Sequence, residues 1–99
     1  MVSMSIDREA IQAFCQKHHI RRLALFGSVL GPDFGPESDV DVLVAFEPGN
    51  VPGLLGVARM ERELSELFGG RPVDLVTPRF LSHRIRDHVL ADAQTQYAA

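Results

Sequence analysis

Leu23-Ala24-Leu25-Phe26-Gly27-Ser28, followed after ten residues by Asp39-Val40-Asp41-Val42-Leu43-Val44-Ala45-Phe46, is the pair of segments from which the fold can be read. The first run has the character of a short buried strand, ended by a glycine where backbone must come close to something bulky. A helical turn opening at Ser28 would offer free N–H groups and a hydroxyl, the kind of anion site that helix N-termini provide. The second run is almost wholly apolar after its acids and rich in β-branched residues, which predicts a core strand. Because side chains alternate along a strand, Asp39 and Asp41 share a face at roughly 6.5 to 7 Å between Cα atoms. Carboxylates so close repel each other unless a cation lies between them. Mg²⁺ suits the position, since it takes one or two carboxylates and fills its octahedron with waters and phosphate oxygens.

A third acid lies further along. Val73-Asp74-Leu75-Val76 is another short apolar stretch with one carboxylate where a leucine or valine would otherwise pack. Set beside the Asp39 strand, Asp74 could face the same metal, as shared ligand or as general base in phosphoryl chemistry. Gly-Ser is a common turn dipeptide, and Asp-x-Asp at a strand start is more often a solvated turn, so neither alone carries weight. Their joint spacing and the third strand do. Rival phosphate motifs fit worse: there is no Gly-Lys-Ser/Thr, and no Gly-x-x-Gly follows Gly27.

The remaining chain supplies a helical frame. Ser5 or Asp7 can cap a helix to about His18, with Ile6, Ala10, Ile11, Phe14 and Cys15 at helical spacing. Gly31 to Ser38 holds two prolines and two glycines and predicts a tight loop. After Glu47-Pro48-Gly49-Asn50, a helix from about Leu54 to Phe68 carries an apolar stripe of Leu54, Val57, Met60, Leu64 and Leu67, and Gly69-Gly70 stops it. A strand from about Pro72 to Val76 follows, and Thr77-Pro78 opens a last helix with Leu81, Ile85 and Val89 inward. The order αβ(loop)βαβα predicts an α+β fold: a small mixed sheet of about three strands with helices packed on it.

At 99 residues the chain supports a single domain, 1–99, burying roughly 65% of its extended surface. The net charge of −3 argues against DNA or RNA as main substrate, which needs clustered Lys and Arg. With Cys15 the only cysteine, neither an intrachain disulfide nor a thiolate cluster can form, which fits a reducing cytoplasm. The start lacks a signal-peptide pattern, and no stretch approaches a membrane span, so a cytoplasmic protein with no membrane partner is expected.

The Gly27-Ser28 turn, the Asp39-Val40-Asp41 pair and Asp74 resemble the minimal nucleotidyltransferases of the polymerase-β-like superfamily, found as antitoxin partners of HEPN-type toxins. The resemblance runs through Leu23 to Ser28, Ser38 to Phe46 and Arg71 to Pro78. It implies the polymerase-β-like fold, ATP as donor and Mg²⁺ as cofactor. It further implies transfer of AMP to a hydroxyl, in characterised systems a tyrosine of the partner toxin, within a hetero-oligomer. Carried over, Gly27 and Ser28 contact the triphosphate, Asp39 and Asp41 bind metal, and Asp74 binds metal or acts as base. Many members place basic residues after the Gly-Ser and again before the acids. This chain has no Lys or Arg between Ser28 and Asp39, which supports an alternative: a catalytically weak antitoxin that neutralises its partner by steric binding. Small-molecule modification is a third reading, but the chain lacks a further domain to enclose such a substrate.

Other reactive side chains have simpler explanations. Cys15 reads as a packed core thiol, and His18-His19 as a helix C-terminal cap. His83 and His88, five apart, fall on different helical faces. Arg84 and Arg86 read as solvated, as do Glu61, Glu63 and Glu66, and Tyr97 as frayed or a partner contact.

Overall fold

The computed structural model describes residues 6–31, 35, 38–77 and 91–99, with backbone only at Ser28. The first helix, α1 (Arg8–Lys17), starts where Asp7 Oδ1 accepts the Ala10 N–H at 3.1 Å, with Glu9 in its first turn and Lys17 in its last to complement the helix dipole. Strand β1 (Ile20–Phe26) runs into a 3₁₀ turn (Gly27–Leu30). Strand β2 (Val40–Phe46), helix α2 (Leu54–Leu67) and strands β3 (Val73–Val76) and β4 (Gln94–Ala98) complete the order. Gly69 and Gly70 both take positive φ, and the Gly70 N–H closes α2 onto Ser65 O at 2.7 Å.

The sheet order is β3-β2-β1-β4, with β1 antiparallel to both β2 and β4 and β2 parallel to β3. One face packs on the helices: Leu23, Leu25, Val40, Val42, Val44 and Leu75 meet Ile11, Phe14, Cys15, Met60, Leu64 and Phe68 in one core. Among the described residues the other face buries Ala24 and Leu43, with Phe26, Val76 and Ala93 partly buried against them. Period-two alternation sorts each strand between these faces, so hydrophobic demand fixes the register.

The mixed α+β fold agrees with the sequence reading, but the sheet has four strands where about three were expected. Strand β4 pairs with β1, the Arg22 guanidinium donates to Thr95 Oγ1 at 2.9 and 3.0 Å, and Tyr97 packs partly buried against the main core. Tyr97 is therefore not frayed. A polar strand at a sheet edge lacks the apolar run that marks a central one, which is why Gln94-Thr95-Gln96-Tyr97 does not announce itself. In α2 the expected stripe holds at four of its five positions, with Met60 and Leu64 buried and Val57 and Leu67 half-buried, whereas Leu54 in the first turn is 89% exposed. The expected helix after Thr77, with Leu81, Ile85 and Val89, lies outside the described residues, as do His83, Arg84, Arg86 and His88.

The two helices are joined by charge. Glu63 receives Lys17 Nζ on one oxygen and His18 Nε2 on the other, each at 3.1 Å, while the His18 ring leans on Phe14 at 4.6 Å between centroids. His18 does supply the helix cap through its backbone, but its side chain bridges helices, and Glu63 is anchored where a solvated carboxylate was expected. The His18 hydrogen bond, ahead of Lys17, holds the Glu63 carboxyl below its usual range. A depressed folded-state pKa adds stability above the unfolded value and loses it as pH falls through the folded one. Glu63→Ala should therefore cost about 0.2–1 kcal/mol at neutral pH, a size typical of exposed pairs. Urea unfolding should show the deficit shrinking as pH drops through the carboxylate range.

Candidate active site

The turn and the acids meet at one end of the sheet. Phe26, the last residue of β1, is paired with Asp41 across the antiparallel ladder, so the chain leaving β1 passes directly beside the Asp41 side chain. Gly27 sits there at φ +77°, and a Cβ at this position would collide with the Asp41 carboxylate, whose Cγ would lie 3.2 Å away. The glycine is thus required twice, by a left-handed backbone and by the close approach of a carboxylate. The turn then continues as 3₁₀ helix through Val29, which is fully buried and pins it to the core.

On the other side of β2, the parallel pairing sets Asp74 opposite Asp41. Exposure alternates through the motif, with Asp39 exposed, Val40 buried, Asp41 half-buried and Val42 buried. Asp39 lies one residue outside β2, and the Val40 N–H donates to Pro72 O at 2.8 Å, fastening the start of β2 to the lead-in of β3. The structure therefore brings Gly27, Asp41 and Asp74 together on the face opposite the helices, with Asp39 at the same end. The Ser28 backbone belongs to this turn; its side chain lies outside the described residues.

Among the described residues no group of three His, Cys, Asp or Glu side chains stands close enough to form a closed cage for a metal. The donor set nonetheless fits a hard cation that keeps its waters. Mg²⁺ binds through one or two carboxylates plus phosphate oxygens, and this end of the sheet supplies carboxylates on β2 and β3. Asp39 and Asp41 would hold it, with Asp74 beside them.

Two further residues shape the site, and reading the chain linearly did not find them. Arg71 Nη1 donates to Gly35 O at 3.2 Å, bringing a guanidinium to the loop that contains no Lys or Arg of its own. Gly35 N–H in turn donates to Ser38 Oγ at 3.0 Å, just before the acids. Glu61, expected to be solvated, accepts the Leu75 N–H on Oε2 at 2.8 Å. Only the parallel β2–β3 pairing places Arg71 and Gly35 together, so the signal is topological. Elsewhere, burial pushes the Cys15 thiol up to about 12, which rules out a nucleophilic role. A groove of about 570 Å³ between α1 and α2, lined by Phe14, Lys17, Glu63 and Leu67 among others, lies on the helix side of the sheet and contains none of these acids.

A family model described as a nucleotidyltransferase domain matches residues 7–94. The protein adenylyltransferase MntA of Thermococcus cleftensis is 36% identical over 77 residues, covering 78% of this chain and 75% of that protein. A solved structure classed as a minimal nucleotidyltransferase is 43% identical, with a TM-score of 0.70 over 87% of this chain and 85% of that one. Two toxin–antitoxin complexes, each 18% identical, share the fold. One, solved with AMP-PNP, has a TM-score of 0.74 over 95% of this chain and 75% of that one. The other holds a tri-AMPylated Shewanella oneidensis HEPN toxin with its MNT antitoxin, at 0.66 over 93% and 70%.

Gly27→Ala tests the junction of turn and acid. Left-handed backbone costs a non-glycine residue about 1–2 kcal/mol, and the new methyl must also displace the Asp41 carboxylate. The variant should unfold at lower urea and lose ATP binding by calorimetry.

Proposed function

Because the chain belongs to the nucleotidyltransferase domain family, we propose that it is a protein adenylyltransferase that moves AMP from ATP to a hydroxyl of a HEPN-type partner toxin and so serves as its antitoxin. The observation that carries this reading is the juxtaposition of Gly27 against Asp41 and of Asp41 opposite Asp74: a glycine turn packed directly against one of two carboxylates that face each other on neighbouring strands. Its relatives and fold neighbours, an adenylyltransferase and complexes of an antitoxin with a HEPN toxin, support this class of acceptor. AMP-PNP in a protein of the same fold favours ATP as donor, and a tyrosine hydroxyl is the proposed acceptor group.

In this reading the backbone N–H groups of Gly27 and Ser28 contact the triphosphate, and Asp39 and Asp41 serve as metal ligands. Mg²⁺, held by these carboxylates, would neutralise charge on the phosphate oxygens. Asp74 takes the proton of the attacking hydroxyl as its oxygen forms a bond to the α-phosphorus. The bond from that phosphorus to the bridging oxygen breaks, and pyrophosphate leaves. The domain, 1–99, is too small to enclose a protein acceptor, so the partner must bring its own hydroxyl to the open face as part of a hetero-oligomer. Among the described residues no helix is long and apolar enough to cross a membrane, and we place the reaction in the cytoplasm.

Asp74→Asn decides between chemistry and steric masking. A general base contributes about 10²–10⁴ in rate, so the variant should bind ATP and partner yet transfer AMP at least about 100-fold more slowly. Intact-mass spectrometry of the co-expressed HEPN-type protein reads the outcome. A partner carrying AMP with wild type and none with the variant supports transfer. An unmodified partner with wild type, in cells that Asp74→Asn still protects, would establish masking.

A further inference from the structure

Strand β3 is four residues long, lies at the edge of the sheet and pairs with β2 alone. Its second residue, Asp74, stands in register with Asp41 of β2, so the position of Asp74 against Asp41 depends on how β3 is held. Edge strands also carry outward N–H groups that the sheet does not satisfy. Two contacts from outside the ladder bracket the Asp74 step. Before it, Pro72 O accepts the Val40 N–H at 2.8 Å. After it, the outward Leu75 N–H donates to Glu61 Oε2, also at 2.8 Å. Glu61 is well placed to hold this bond: its neighbours on α2, Met60 and Leu64, are 2% and 0% exposed, and Leu75 itself is 7% exposed, so both ends are fixed in the core.

We infer that Glu61 is a positioning residue, which holds β3 from its open edge and so sets Asp74 against Asp41. The inference rests on Asp74 belonging to the reaction centre. A carboxylate on a backbone N–H makes a charge-assisted bond, directed across the strand from the side opposite β2. It holds the strand at the residue after Asp74, on the edge that no described strand covers. Glutamine keeps an acceptor oxygen at the same reach, and alanine removes it.

Glu61→Gln, Glu61→Ala and Asp74→Asn are compared in the full chain, with Glu63→Ala as a control that loosens α1 from α2 away from the site. Amide hydrogen exchange without nucleotide should show Asp74 and Leu75 exchanging faster in Glu61→Ala and at the wild-type rate in Glu61→Gln. AMP transfer from ATP with Mg²⁺ to the co-expressed HEPN-type protein should fall between about ten- and a hundredfold in kcat for Glu61→Ala, as expected for a displaced catalytic group. The KM for ATP should stay within about twofold, and Glu61→Gln should restore kcat. If Glu61→Ala does not fold, Glu61→Asp, one methylene short of the amide, is measured in its place. Unchanged kcat in Glu61→Ala, while Asp74→Asn abolishes transfer, would overturn the inference and leave the catalytic reading standing. An equal kcat loss in Glu63→Ala would reduce the effect to general stability and also overturn it. Undiminished transfer by Asp74→Asn would remove the catalytic reading, and this inference with it.

Discussion

Strand β2 lies between a neighbour that runs against it and one that runs with it, and the site depends on that arrangement. The antiparallel partner ends beside the residue where β2 begins, so the turn leaving β1 must pass the first acids of β2. The parallel partner begins where β2 begins, so its second residue stands level with the second residue of β2. Gly27, Asp41 and Asp74 come from positions 14 and 33 residues apart in sequence, yet two ladder registers bring them to one end. Neither register can slip by one residue without turning Val40, Val42 and Val44 out of the core, so hydrophobic burial holds the chemistry in place.

The two faces of the sheet divide the work. Helices cover one face and give the domain its core, including an inert thiol at Cys15. Among the described residues the opposite face buries Ala24 and Leu43, and beyond them lie the half-buried Asp41 and the exposed Asp74. Carboxylates with nearby solvent avoid the heavy desolvation that a sealed interior would impose.

Much of this was legible because it is written in period two. Asp39-Val40-Asp41-Val42 states both the strand and the side of it that bears acids, and Leu23-Ala24-Leu25-Phe26 before Gly27 states where the first strand stops. Asp74 was readable as a polar exception in an apolar strand. What escaped was whatever depends on partners distant in sequence. Gln94-Thr95-Gln96-Tyr97 becomes strand β4 through the open edge of β1, and its own residues carry no apolar run. Glu61 and Glu63 resemble any solvated acids of a helix until β3 and α1 are laid against them. Leu54 matches the helical stripe by spacing, yet as the first residue of α2 it stays in solvent.

The same distinction bears on whether the chain is an enzyme or a mask. Between Ser28 and Asp39 the chain has no Lys or Arg, yet a loop also takes charge from residues distant in sequence. In the folded chain Arg71 reaches Gly35 from 36 residues further on, because the lead-in to β3 runs beside the lead-in to β2. A guanidinium hydrogen-bonded to a loop carbonyl adds positive charge beside that carbonyl. A count of basic residues within the stretch therefore does not describe the charge around it, and strand pairing has to be read before the stretch is taken as evidence for masking.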